Sequence, residues 1–451
     1  MTDQDSITIV APVVRARTRD LELALEEMGA DPADNGVLPF ARFANVHFGR
    51  LVLLPESVDA RGNGVPPTLV LATNIDGRAE AHLRDLAARG SAGLDRLFGH
   101  CEGYPPAADR SAETRLRYLR SHRIRTHTLF VNTRGRTVER IARERQLAEA
   151  IRGFLAGPGA NGDRTAASAV ERVRRFLGEE PELRWALAPA ESEFAFRLVR
   201  TVRLVGFGLL IVAALLALFV APLLIFLFPQ LMYDFPWLIA IFPLPWIALA
   251  FFLLVLRLHE LNNLPDDYRP PGARLLANES SEDLGTQNQL SAVGYLQKGF
   301  FRTAITRVVL WLMQFSTDNL FYRGHLAGVD TIHFARWVML GRGRVIFFSN
   351  YDGSLESYND DFVDRVPFGL NLVFSNGQGW PPTKFLAFGG ARDEQAFKLY
   401  LRDHQVRTHV WYAAAPYRGL TAVNLSRNSK IRAGLARRMG EREAAEWLRL
   451  V

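Results

Sequence analysis

The chain repeats itself across a long apolar interruption. Tyr118-Leu-Arg-Ser-His122-Arg-Ile-Arg125-Thr-His127 returns as Tyr400-Leu-Arg-Asp-His404-Gln-Val-Arg407-Thr-His409, with seven of ten positions identical. Three more blocks recur in the same order. Phe40-Ala-Arg42 matches Phe334-Ala-Arg336, Asn74-Ile-Asp76-Gly77 matches Asn350-Tyr-Asp352-Gly353, and the stretch from Phe98 to Pro105 matches that from Phe374 to Pro381. Collinear blocks whose spacing drifts only slightly imply a duplicated unit with loops of different length.

The interruption sets the second constraint. Leu204 to Phe228 is apolar and carries no charge, and Trp237 to Leu256 forms a second such run after a short connection. A helix of about 20 apolar residues crosses ~30 Å of hydrocarbon. Pro222, Pro243 and Pro245 are expected to kink these helices without ending them. Arg197, Arg200 and Arg203 precede the first run and Arg257 follows the second, whereas the connection holds Asp234 and no Lys or Arg. Positive charge stays on the cytoplasmic side, so the expectation is a two-span inner-membrane protein with both soluble parts in the cytoplasm. The expected divisions are a first repeat over 1–156, a helical linker over 157–203, the transmembrane hairpin over 204–256, a linker over 257–286 and a second repeat over 287–451.

The net charge of +7 suits a protein lying against an anionic leaflet, with the lipid bilayer as partner. No basic tract interleaved with aromatics points to nucleic acid. The single cysteine, Cys101, excludes an internal disulfide.

Each soluble part reads as strand, helix, two strands, helix, strand, followed by one more helix and strand. In the first part the strands are expected at 6–14, 40–54, 68–73 and 94–100, with helices at 19–28 and 77–88. In the second they are expected at 288–296, 332–340, 345–349 and 371–374, with helices at 300–321 and 354–363. This is the order of a ferredoxin-like unit. The expected fold is therefore α+β, two ferredoxin-like repeats joined into a single-chain dimeric α+β barrel, with a transmembrane hairpin between them. Residues 298–315 admit two readings: the first helix of the second repeat, or a helix lying in the membrane plane.

Two such units, each with a strand ending in Asp-Gly, resemble the dye-decolourising peroxidase family. The family pattern is Gly-x-x-Asp-Gly; here Thr73-Asn-Ile-Asp76-Gly77 and Ser349-Asn-Tyr-Asp352-Gly353 keep the last two residues and lack the leading glycine. The resemblance implies a haem beside one unit. It also implies that Asp352, with a nearby Arg, handles the proton of a bound peroxide. No local motif marks the histidine that would hold the iron.

The candidate residues follow from position. Asp76 and Asp352 end a strand before a helix, where a carboxylate caps backbone N–H groups or serves as acid and base. Arg42 and Arg336 would lie on inward-facing strand positions, each paired with the neighbouring Asp. The second copy keeps the richer polar set. Its expected catalytic residues are Asp352, Arg336 and Asn350, with Tyr351, Glu356, Tyr358, Asn376 and Trp380 around a lipophilic small molecule. His409 is the candidate haem ligand, with a structural hydrogen-bonding role as its plainer reading. His122 and His404 end helices and suit C-terminal caps. Two functions are consistent with this: a peroxidase-like oxidoreductase acting on a lipophilic substrate, or a non-catalytic scaffold that binds a lipid or partner at the membrane.

Overall fold

The computed structural model describes residues 4–59, 62–157, 165–189, 194–220, 223, 227, 230–235, 237, 243–264 and 270–451. In the first half, β1 (Gln4–Pro12), α1 (Thr18–Ala30), β2 (Val46–Leu54) and β3 (Thr68–Asp76) are followed by α2 (Ala79–Arg89), α3 (Ser91–Phe98), α4 (Ala112–His122) and β4 (Thr128–Val131). Then come α5 (Val138–Ala156), α6 (Ala166–Glu179) and two apolar helices, α7 (Phe194–Leu215) and α8 (Leu244–Leu261). The second half runs β5 (Gln287–Tyr295), α9 (Phe300–Asn319), β6 (Ile332–Gly341), β7 (Arg344–Asp352), α10 (Leu355–Arg365) and α11 (Pro367–Phe374). It closes with α12 (Glu394–His404), β8 (Val410–Ala413), α13 (Ala422–Leu435) and α14 (Glu441–Leu448).

The strands build two four-stranded antiparallel sheets with matching orders, β1-β3-β2-β8 and β5-β7-β6-β4. Their edge strands are exchanged: β8 pairs with β2, and β4 pairs with β6. Alternation along each strand buries both faces. Ile7, Ile9, Leu69, Leu71 and Ile75 pack on Leu21 and Leu25 of α1 and on Leu83 and Leu86 of α2. On the other face Val52, Val70 and Ala72 meet Val338, Leu340, Ile346 and Phe348 of the second sheet. Burying each such side chain contributes ~1.5–3 kcal/mol, so the inter-sheet layer binds the halves together. The seams close alike. Gln4 Nε2 donates to Arg136 O at 2.7 Å, and Gln287 Nε2 donates to Leu420 O at 2.5 Å.

Two expected strands, 94–100 and 371–374, are instead the helices α3 and α11. The buried residues Leu94, Leu97 and Phe98, and likewise Leu370 and Val373, recur at three and four, the helical period. The approach of α3 is close: a Cβ on Gly93 would lie 2.2 Å from Val37 O. The fourth strand of each sheet is the appended one, β4 or β8, donated by the opposite half. The expected strand over 40–54 also divides. Phe40–Arg42 is a 3-10 turn, and the strand begins at Val46. Arg42 is exposed outside the sheet. The true counterpart of His333-Phe334-Ala335-Arg336 is His47-Phe48-Gly49-Arg50, at an offset of 286.

Phe194–Val220, of 27 residues, and Leu244–Leu261, of 18, are long and apolar enough to cross a membrane. None of the most apolar window of the first is buried, and 11 % of that of the second. Parts of the expected spans, including Pro222 and residues 238–242, lie outside the described residues. Pro243 and Pro245 do not kink α8; they stand at its start, where a missing N–H leaves no helix bond broken. Helix α9 serves two neighbours. Ile305, Val309 and Leu310 are buried with the second sheet's core, while Phe300, Val308 and Trp311 are exposed. Phe315 meets Phe207 of α7 at 4.5 Å, and Phe301 meets Phe252 of α8 at 5.9 Å. The sheet-packing reading of 298–315 therefore holds for one face, and the other lies beside the apolar helices.

A separate cluster joins α5, α6, α13 and α14 through Leu147, Ile151, Val173, Leu177, Ile431, Leu435 and Trp447. Helices α5 and α13 begin alike, after Arg134-Gly-Arg-Thr137 and Arg418-Gly-Leu-Thr421, at an offset of 284. Thr137 and Thr421 each cap their helix through the side-chain oxygen.

Candidate functional site

The Asp-Gly strand ends meet between the sheets. Gly77 and Gly353 each adopt φ of 81°, a left-handed turn that a side chain strains. Asp352 Oδ1 accepts from His333 Nε2 at 2.7 Å, and its Oδ2 accepts the N–H of Ala422, the first residue of α13, at 2.6 Å. Asp76 repeats this with His47 Nε2 at 2.9 Å and the N–H of Val138, the first residue of α5, at 2.8 Å. Each Asp is thus a helix cap, but of the helix after the exchanged strand rather than of the next helix in sequence. Ser354 caps α10, and Asp5 accepts the Ala79 N–H of α2.

Tyr417 lies between the two His–Asp pairs. Its hydroxyl is 2.6 Å from His47 Nδ1, and its ring centroid is 5.2 Å from that of His333. In the neutral ring, His47 donates from Nε2 to Asp76 and accepts the Tyr417 O–H at Nδ1. Phe48 packs 4.7 Å from Tyr417, and Phe334 packs 5.1 Å from His47. Burial, only partly countered by Arg136, holds the Tyr417 phenol well above its ordinary value. An Asp–His–Tyr chain can move a proton along its length. Here His47, His333 and Tyr417 are all buried, so the chain serves as a latch between sheet and helix.

The expected Arg336–Asp352 pair does not form, because Asp352 is occupied by His333. Arg336 Nη1 donates to Ile7 O and Thr73 O, each at 3.0 Å, across the inter-sheet layer. Among the described residues its Nε and Nη2 have no partner. Arg50 donates to Leu290 O and Ser349 O at 2.8 Å, and also to Ser291 Oγ and Asn350 Oδ1. Asn350 Oδ1 also accepts from Trp411 Nε1 at 3.0 Å, and the Asn350 amide lies 3.4 Å from Asn74 Oδ1. The Phe348 ring centroid is 4.9 Å from the Arg50 guanidinium carbon and 5.3 Å from that of Arg336. Burial lowers the Arg336 pKa to about 9. It lowers that of Arg50 as well, with the charge of Arg336 adding to the effect.

The other candidates are split from these by the sheet. Tyr351 lies between Asn350 and Asp352 in sequence, so the alternation turns it to the opposite face. There it stacks on Tyr358 at 4.0 Å, and the Tyr358 hydroxyl bonds Ser349 Oγ at 2.8 Å. Trp380 packs on Phe374 and donates to Asn371 Oδ1 at 3.3 Å, while Asn376 donates to Leu372 O. Glu356 is exposed on α10 and pairs with Lys398 and Arg402. His409 Nδ1 accepts the Leu53 N–H at 3.3 Å, just as His127 Nδ1 accepts that of Met339 at 3.3 Å. Each pins an exchanged strand to its host sheet. Burial pushes His409 down to about 4 and the Cys101 thiol up to about 12. His122 and His404 bond the carbonyls of Tyr118 and Tyr400, one turn back in their own helices.

These residues do not fit a haem. Both oxygens of Asp352 are taken, aromatic rings fill the space beside it, and His409 is tied through Nδ1 to the backbone. Among the described residues no three His, Cys, Asp or Glu side chains gather as a metal site. The residues that organise this centre and that motif reading passed over are His47, His333, Arg50 and Tyr417. The repeated His-Phe-x-Arg was the available signal for the first three. No family model, curated protein or solved structure matches the chain, so its chemistry must be argued from its own geometry.

Proposed function

We propose that this is a membrane-anchored binding protein rather than an oxidoreductase. In this reading α7 and α8 span the inner membrane, both sheets stand on the cytoplasmic side, and the exposed face of α9 lies in the leaflet surface. The two sheets form one barrel from duplicated ferredoxin-like units that have exchanged their last strands. The observation that carries the reading is the state of Asp352. Its two oxygens are engaged by His333 and by a helix N-terminus, so the carboxylate ties sheet to helix. The basic residues flanking the apolar helices support the orientation. The aromatic contacts of α9 with α7 and α8 support its place beside the bilayer.

The test is an absorption spectrum of detergent-extracted protein, before and after incubation with haem, together with turnover of a lipophilic dye by hydrogen peroxide. The expected result is no Soret band and no turnover. A Soret band that disappears in His409→Ala, with peroxide turnover lost in Asp352→Asn, would overturn the proposal.

A further inference from the structure

Thr383–Lys384 and Phe388–Gly389 pair as a short hairpin. Its turn residues Phe385 and Leu386 have φ of 55° and 57°, a left-handed conformation that bulky side chains rarely adopt. Two buried side chains hold it there. Glu260, near the end of α8, accepts the N–H of Phe385 at Oε2 and that of Leu386 at Oε1, each at 2.8 Å, and the Thr383 hydroxyl at 3.0 Å. Asn371 of α11 donates to Ala387 O at 3.1 Å and to Gly389 O at 2.8 Å. Leu386 is buried, whereas Lys384, Phe385 and Phe388 are exposed. The bonds thus fix two phenyl rings on the outside of a turn, where water favours polar residues and glycine.

The attachment sets the depth of those rings. The uncharged run of α8 ends at Leu256, and Arg257 follows. Arg257 Nη1 donates to Thr383 O at 2.9 Å, so the hairpin begins level with the first charge after the run. Glu260 stands four residues past Leu256, which is ~6 Å along a helix. Helix side chains tilt toward the N-terminus, so its carboxylate leans back toward the apolar run. Phe301 of α9 stacks on His259 at 4.8 Å and meets Phe252, which brings the exposed Phe300 to the same end of α8. Phenyl rings and a lysine at this level suit the boundary between acyl chains and headgroups, with the ammonium reaching the phosphates. We propose that the hairpin 383–389 inserts Phe385 and Phe388 into the leaflet where α8 ends, as a second membrane contact beside α9. The inference rests on the anchored binding reading and adds to it a lipid-contacting site on the body of the second half.

The test is spin labelling of the full chain in nanodiscs of phosphatidylcholine and phosphatidylglycerol. Cys101 is buried, so an introduced cysteine is the accessible thiol. Labels are placed by Phe388→Cys, by Leu209→Cys on the exposed side of α7, and by Leu23→Cys on α1, over the outer face of the first sheet. Oxygen collects in hydrocarbon and a nickel chelate stays in water, so their access to the label reports depth. The oxygen-to-nickel ratio at 388 is expected to lie between those at 23 and 209, roughly threefold or more above the former. Phe388→Cys is expected to keep the wild-type melting midpoint in detergent, because the ring it removes is exposed. A ratio at 388 equal to that at 23, with 209 in hydrocarbon, overturns the insertion and leaves the anchorage standing. A water-like ratio at 209 overturns both. Low access to both reagents, with dipolar broadening between labels at 388, assigns the hairpin to contact with a second copy and likewise overturns the proposal.

Discussion

The two halves use the same residues at the same places and reach different degrees of satisfaction. In the first, Asp76–His47 continues to Tyr417, so both ring nitrogens are bonded. In the second, Asp352–His333 stops at the ring, because Thr133 stands in the first half where Tyr417 stands in the second. The arginines differ in the same way. Arg50 reaches two carbonyls, a hydroxyl and an amide, whereas Arg336 reaches two carbonyls and, among the described residues, leaves Nε and Nη2 unpaired. The His, Arg, Asn and Asp positions recur on matching strands of the two sheets. The neighbours that complete each polar group come from the exchanged strands and the loops after them, where the copies have diverged: Trp411 stands opposite Leu129 in the repeat, and Tyr417 opposite Thr133.

The comparison can be broken most severely at the carboxylates. Asp352→Ala removes the partner of a buried histidine and the cap of α13 together. A loss of about 3–5 kcal/mol is expected in chemical denaturation, and somewhat less for Asp76→Ala, whose side chain is 12 % exposed against 5 %. The arginines come next. Arg50→Met should cost about 2–4 kcal/mol, since it strands several acceptors, while Arg336→Met should lie within about 1 kcal/mol of wild type or stabilise. Equal losses would show that the unpaired nitrogens of Arg336 are satisfied in solution.

Acid sharpens the contrast between the strand-pinning histidines. His409 is held at about 4 in the folded chain against 6.5 ordinarily. The unfolded chain takes up the proton first, so stability is full above pH 6.5 and falls as pH drops towards about 4. The loss is up to about 3 kcal/mol. His409→Gln should flatten that slope in pH-dependent melts. His127→Gln should flatten it less, because His127 is only half-buried. Tyr417→Phe is expected to cost about 1–2 kcal/mol, from the unpaired His47 Nδ1. Its imidazole NMR signals should then come to resemble those of His333.

Much of this architecture was legible from residue order. The repeat, the alternation of Ile7 with Ile9 and of Leu69 with Leu71, and the apolar runs all report short-range physics. The run around Leu94 satisfies strand composition as a cluster of apolar residues, while its three-and-four spacing satisfies only a helix. Arg42 hides Arg50 because Phe40-Ala-Arg42 and Phe334-Ala-Arg336 are identical at every position, although their offset of 294 stands apart from the others. The candidate site mixed Asn350 and Asp352 with Tyr351, which the pleat sends to the other side of the sheet. The destination of β4 and β8 was not legible at all. A four-residue strand carries no mark of which sheet will accept it, since the choice depends on edges formed hundreds of residues away.

That exchange has a consequence for biogenesis. When the first half emerges from the ribosome, one margin of its sheet is still bare and its own last strand has no host. Neither is completed until the two apolar helices have passed and the later half has been synthesised. Until then the open β edge is the kind of surface that chaperones and proteases recognise. Maturation of the first sheet becomes conditional on synthesis of the chain's last strand.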